Sequence, residues 1–270
     1  MNEIVIATGL YVSKDLLQKL LGPTAEYLGQ ELREAARRNL SKIFAKAADK
    51  AGKDIDTKRV VPARVLREIV DCGAFCEDDL SQEYYAGLLA SSRGDDVKDD
   101  MQVPLLNIIR GLSSYQIRFH YMIYWHINKI FRTENLNIGI GLDRHKMQIF
   151  ITFDSAADAL GIRERKDWSD IVDHALLGLE TNDLIIQEST FSGQQDFMAG
   201  QSKGKINEAG IVIAPSLLGA ALFLRSIGIK QGTGRMITKI DAGEDKLNVN
   251  GIGIRRLWAR DQSIDESVFQ

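Results

Sequence analysis

Between Ser114 and Arg132 the chain carries Tyr115, Ile117, Phe119, Tyr121, Met122, Ile123, Tyr124, Trp125, Ile127, Ile130 and Phe131, a helix that is apolar nearly all round. Such a helix cannot face water along one side, so the fold must cover it from several directions. Ser113 and Gln116 have the spacing of a capping box and mark its start. His120 and His126 lie on it six residues apart, about 240° around the axis. They cannot share a metal ion. Each is expected to be partly buried and hydrogen-bonded to backbone, with an aromatic ligand box as the competing reading.

All four prolines, Pro23, Pro62, Pro104 and Pro215, precede apolar periodic segments and read as helix starts, where the missing N–H costs nothing. The helix after Pro23 is the longest and runs to Ala51-Gly52, with Gly52 suited to the left-handed closing position. Within it Leu21, Leu32 and Ile43 recur every eleven residues, as do Ala25, Ala36 and Ala47. That period, about 3.67 residues per turn, makes a stripe along a nearly straight helix. Glu26, Glu31 and Glu34 occupy its first half and Arg37, Arg38, Lys42, Lys46 and Lys50 its second, which complements the helix dipole. The alanine-rich stripe predicts a bundle spine, with a self-association surface as the alternative.

Glu77 to Ser91 is an acidic helix start running into an apolar face. Asp78 or Asp79 can accept from the free N–H groups of the first turn, and Leu80, Tyr84, Tyr85, Leu88 and Leu89 form a stripe that must be buried. Ala86, Gly87 and Ala90 leave that surface shallow, so a neighbouring helix can approach closely. Taken with Leu20-Leu21-Gly22-Pro23-Thr24-Ala25-Glu26-Tyr27-Leu28-Gly29, the segment resembles the abortive-infection alpha family of bacterial proteins, which is associated with phage defence. The family's usual Ala-Asn-Leu-Leu-Ala core reads Ala86-Gly87-Leu88-Leu89-Ala90 here, so no role of that asparagine carries over. Leu112-Ser113 after a short helix and Leu176-Leu177-Gly178-Leu179 before a strand are also in the family's manner. The resemblance implies a helical protein and brings no catalytic residues.

A charged fraction of 26% and a net charge of -3 exclude a general polyanion-binding surface, so any nucleic-acid contact must be a local patch. Cys72 and Cys76 are the sole cysteines. A single C-x3-C pair neither completes a zinc site nor builds a disulfide framework, so no metal and no cofactor are expected. Met1 to Val12 lack the charge order of a secretory signal, which predicts a cytoplasmic protein. Ile211 to Ile229 is the one run long enough to suggest a membrane, but Pro215 divides it into a strand and a buried helix, which makes membrane contact the lesser reading.

Asn137 to Leu142 and Met147 to Phe153 have strand composition and predict a hairpin about Asp143-Arg144-His145-Lys146, followed by a short helix capped by Asp154 or Ser155. Gly139-Ile140-Gly141 and Gly232-Thr233-Gly234-Arg235 lack the remaining residues of a dinucleotide or phosphate loop. From Trp168 the order is helix, strand, glycine- and serine-containing wing, strand, helix, which is the plan of a winged-helix-like unit. Its basic residues Lys203, Lys205, Arg225, Lys230, Arg235 and Lys239 are the candidate nucleic-acid-binding set. Against that reading, no helix there presents the cluster expected for reading base edges.

The chain is therefore expected to be mainly α. The expected division is an N-terminal helical bundle with a long straight helix at 1–135, then a smaller α+β winged-helix-like lobe at 136–270. No serine, histidine or carboxylate spacing forms a nucleophile or acid–base motif. The expected function is a non-enzymatic phage-defence (abortive infection) protein acting through a protein partner or as a homo-oligomer. A winged-helix nucleic-acid-binding regulator and a membrane-acting toxin are the alternatives.

Overall fold

The computed structural model describes residues 3–5, 11–13, 25–95, 99–162, 168–191, 195–199, 202–206, 208–230, 233–248 and 253–258. They form two compact units, Met1–Arg110 and Gly111–Gln270. The protein is mainly helical, as expected.

In the first unit, strand β1 (Glu3–Val5) pairs antiparallel with β2 (Tyr11–Ser13). Helix α1 (Ala25–Ala51) follows, then a 3-10 turn (Gly52–Asp56), α2 (Ala63–Gly73), α3 (Asp79–Ser92) and α4 (Val103–Gly111). Gly52 has φ +52°, the left-handed conformation expected at the end of α1. Asp78 is the N-cap of α3 and accepts from the Ser81 N–H at 2.8 Å. The core helix of this unit is α3, buried from Leu80 to Ser92 on every side rather than along one stripe. It packs on α1 and α2. Of the eleven-residue repeat, Ile43 and Ala47 are buried; Leu21 and the side chain of Leu32 lie outside the described residues, as does most of the Leu20–Gly29 segment.

The basic half of α1 does more than match a dipole. Lys46 Nζ reaches Glu83 Oε1 at 2.6 Å and Asp79 Oδ1 at 3.0 Å, and Lys50 Nζ reaches Glu83 Oε2 at 2.8 Å. These ion pairs tie α1 to α3. Burial alone would raise the Glu83 pKa, but the hydrogen bonds and charges of Lys46 and Lys50 outweigh it and hold the carboxyl at about 2.

The second unit is organised on the all-round apolar helix, α5 (Ser114–Phe131), which starts with the expected Ser113/Gln116 capping box. It is followed by α6 (Gly141–Lys146), β3 (Ile149–Thr152), α7 (Phe153–Leu160), α8 (Trp168–Thr181), β4 (Ile185–Phe191), β5 (Gln195–Ala199), β6 (Ser202–Ile206), β7 (Gly210–Pro215), α9 (Leu217–Ser226) and β8 (Ile254–Arg256). Helices α7, α8 and α9 and strand β8 all pack on α5. Its covering elements come later in the chain, so α5 belongs with them. The unit boundary therefore falls at 110/111 rather than 135/136, and the C-terminal unit is the larger one.

The four-stranded sheet has the order β4-β7-β3-β8, with every neighbouring pair antiparallel. Ile149, Phe150 and Ile151 of β3 oppose Ile213, Val212 and Ile211 of β7. The predicted hairpin at 137–153 does not form. Asn137 Oδ1 accepts from the Gly139 N–H at 3.0 Å, which turns the chain out of the extended form, and 141–146 is helical. Strand β3 finds both partners far away in sequence instead. The cap of α7 is Thr152, whose hydroxyl accepts from the Ser155 N–H at 3.2 Å, rather than Asp154 or Ser155. The expected order of helix, strand, wing, strand, helix holds for α8, β4, β7 and α9, with the β5–β6 ribbon between β4 and β7.

A candidate docking groove in the N-terminal unit

Phe44, Ala47, Ala48 and Ala51 follow the i, i+3, i+4, i+7 spacing along α1, so they share one face beside the stripe that meets α3. Three of the four are alanine, so this face is a shallow trough. Gly52 ends the helix and lets the chain turn back over it, placing Ile55 of the 3-10 turn opposite. Val61 before α2, Leu66 on it, and Leu89 and Ala90 near the end of α3 close the sides of a cavity of about 240 Å³. Phe44, Ile55 and Leu66 are 40%, 46% and 39% exposed, so the rim presents large apolar groups to solvent.

Arg93, the C-cap of α3, is the one charged residue in the lining among the described residues. Its Nη2 donates to the carbonyls of Asp54, Ile55 and Thr57 at 3.1, 3.2 and 3.5 Å and so fixes the turn that carries Ile55. Its Nε is buried and has no hydrogen-bond partner among the described residues. Beside it Val60 and Gly94 exchange two backbone hydrogen bonds of 2.9 Å, and Arg59 takes the carboxylates of Asp54 and Asp95. With the Lys46/Lys50–Glu83 ties between α1 and α3, the groove is formed before any ligand arrives.

The histidines of α5 are where the sequence puts them. His120 Nε2 donates to the Gly219 carbonyl at 3.1 Å, and burial brings its pKa down to about 3. His126 Nδ1 donates to the Met122 carbonyl at 2.8 Å, and burial lowers its pKa also. Ser113 Oγ lies 2.9 Å from His174 Nε2, a pairing of nucleophile and base types that the sequence did not signal. That hydroxyl already accepts from the Gln116 N–H as the helix cap, and Gln116 Nε2 donates to the His174 carbonyl, so the pair fastens α5 to α8.

Cys72 and Cys76 are free thiols, and burial pushes Cys76 up to about 11, far from a reactive thiolate. Among the described residues no group of His, Cys, Asp and Glu could hold a metal ion. A cavity of about 490 Å³ in the second unit is lined by Thr152, Asp154, Ser155, Asp158 and Glu208, with Glu208 paired to Arg255 at 2.6 Å.

The six candidate basic residues lie on several different elements. Lys203 and Lys205 are on β6, and their side chains lie outside the described residues. Arg225 Nη1 donates to the Lys230 carbonyl, which places those two together. Arg235 lies against Gly139, and Lys239, four residues further on, is exposed. Helix α8, which precedes the β4–β7 pair, carries Asp170, Asp173 and Glu180 with His174, so its charge is of the wrong sign to enter a DNA groove.

The groove was half legible in sequence. Its α1 face could be read from the four spaced residues, but Ile55, Leu66 and Arg93 converge on it only through the fold. Compared with protein-family models, curated proteins and solved structures, the chain gives no significant match.

Proposed function

We propose that this chain is a non-enzymatic phage-defence protein of the abortive-infection type that acts in the cytoplasm by binding a protein partner. The observation that carries the proposal is the pre-formed apolar groove of the first unit, whose rim exposes Phe44, Ile55 and Leu66. Exposed apolar groups of that size around a trough are a binding feature rather than a stability feature, since burying them on a partner is what gains free energy. The segment that resembles the abortive-infection alpha family, Glu77–Ser91, is the helix that supplies Leu89 and Ala90 to the same groove.

The test is phage plating on a bacterial host with and without the gene. Protection is expected against some members of a broad panel and is expected to be lost with Phe44→Asp, which charges the rim at an exposed position. Plaque counts unchanged across the panel would remove the defence reading. Protection that survives Phe44→Asp would remove the groove from it.

The second reading is nucleic-acid binding by the C-terminal unit, and the β5–β6 ribbon with Lys203 and Lys205 on one strand is what favours it. Changing Lys203, Lys205, Arg225, Lys230 and Arg235 to Gln should then abolish a strongly salt-dependent binding. Fluorescence anisotropy with duplex and single-stranded probes at low and physiological salt decides it. The membrane-toxin reading rests on Ile211 to Ile229 as an apolar surface. Residues 211–215 are a buried strand paired on both edges, and no described helix is long and apolar enough to cross a membrane.

A further inference from the structure

Resting on the docking reading, we infer that the groove takes an acidic amphipathic helix of another protein, one bulky apolar side chain filling the trough and a carboxylate one turn away meeting Arg93. The cavity, about 240 Å³, lies below the roughly 300–1,000 Å³ of a small-molecule site and matches one or two side-chain anchors. The floor is Ala47, Ala48 and Ala51, so a second helix can lie close to α1, and helix-in-groove recognition reads anchors at i, i+3 and i+4.

The charge preference comes from Arg93. Among the described residues it is the one charged group in the lining, and the carboxylates of Asp54 and Asp95 are taken by Arg59. Among the described residues no carboxylate is paired with it. Its Nη2 is spent on backbone carbonyls while its Nε–H, buried, has no acceptor. The positive charge of this guanidinium at the end of an apolar trough favours a carboxylate over a neutral or basic group, because an ionised acceptor makes the stronger hydrogen bond. Rim exposure of Phe44, Ile55 and Leu66 supplies the remaining apolar contact.

The test is a selection from a library of peptides displayed on an alanine-based helix, against the full chain, followed by anisotropy with the selected peptide. The expected peptides carry Leu, Phe or Trp at i and i+4 with Asp or Glu one turn away. Replacing that acid by Gln in the peptide should weaken binding about tenfold. Arg93→Gln should weaken it by a similar factor, and combining the two should cost no more than either alone. Arg93 also holds backbone carbonyls, so thermal melts accompany it, and the peptide-side change gives the answer independently of the variant's folding.

Selected peptides that are apolar without acid, or that lose nothing on Glu to Gln, overturn the inference while leaving the docking groove in place. If no helix is selected and Phe44→Asp still protects in the plating assay, the docking reading falls as well. Concentration-dependent dimerisation that Phe44→Asp abolishes would identify the occupant as a second copy and overturn the inference.

Discussion

At the scale of single residues, two buried polar groups set the pH behaviour. Glu83 titrates near 2 in the folded chain against 4.5 ordinarily, so its contribution is fully present above pH 4.5 and is lost as pH falls toward 2. The effect should be on the order of 1–3 kcal/mol, below the full value of the shift because Lys46 and Lys50 keep contact with water. Urea unfolding of wild type and Glu83→Gln at pH 7 and pH 3 checks it: the difference seen at pH 7 should shrink by roughly half at pH 3, closing only below the folded pKa of about 2. His120, whose pKa falls from 6.5 to about 3, binds its proton in the unfolded chain first, so it removes stability as pH drops below 6.5. Tyr124 is buried and polar too, and acts through hydrogen bonds. Its hydroxyl donates to the Leu184 carbonyl at 2.5 Å and accepts from the Ser216 N–H at 2.9 Å. Tyr124→Phe strands both backbone groups and should cost about 1–3 kcal/mol by denaturant titration. Gly219 sits against the same node, where an added Cβ would lie 2.1 Å from the Leu184 carbonyl oxygen. Gly219→Ala should destabilise through overpacking by about 1–3 kcal/mol or more.

At the scale of elements, burial follows periodicity where one face is apolar and departs from it where two neighbours compete for a helix. Helix α1 keeps a stripe, and Ile43 is fully buried on it. Ile43→Ala should cost about 2–5 kcal/mol through lost transfer energy and residual cavity, as read from unfolding midpoints. A loss well under 1 kcal/mol would show that α1 is not the spine of its unit. The sequence predicted a stripe on α3 because its polar residues were counted as exposed. Gln82, Glu83, Ser91 and Ser92 are buried instead, because each finds a local or cross-helix partner: Gln82 donates to the Cys76 carbonyl at 2.8 Å, and Ser92 to the Leu89 carbonyl at 2.8 Å. Periodicity records hydrophobicity alone, and cannot see such partners.

At the scale of the whole molecule, two units imply two cores that respond separately to damage. Leu222 is fully buried in the second unit, whereas Leu218, four residues earlier on α9, is partly exposed. Leu222→Asp should bury an unpaired carboxylate and unfold the second unit. Hydrogen exchange read by mass spectrometry should show the loss of protection in 111–270, and Ile43→Ala should show its largest loss in 1–110. Protection lost uniformly in both variants would mean one cooperative core.

What the amino-acid order determined by itself is local: the capping box at Ser113 and Gln116, the Asp78 cap, the left-handed Gly52, the splitting of 211–229 at Pro215, and the need to cover α5 on all sides. Each rests on interactions within a few residues, or on an apolar surface that any fold must bury. The tertiary structure alone decided which elements do the covering. Helices α7, α8 and α9 and strand β8 come from sequence distances that no short-range pattern encodes, and they moved the boundary to 110/111. The same holds for β3, which pairs with β7 and β8 instead of a local hairpin, since strand pairing is satisfied by whichever backbone edges the packing brings together. The docking groove belongs to this second class. Its alanine floor is written along α1, but its depth, its apolar rim and the place of Arg93 within it exist only where three helices and a turn meet.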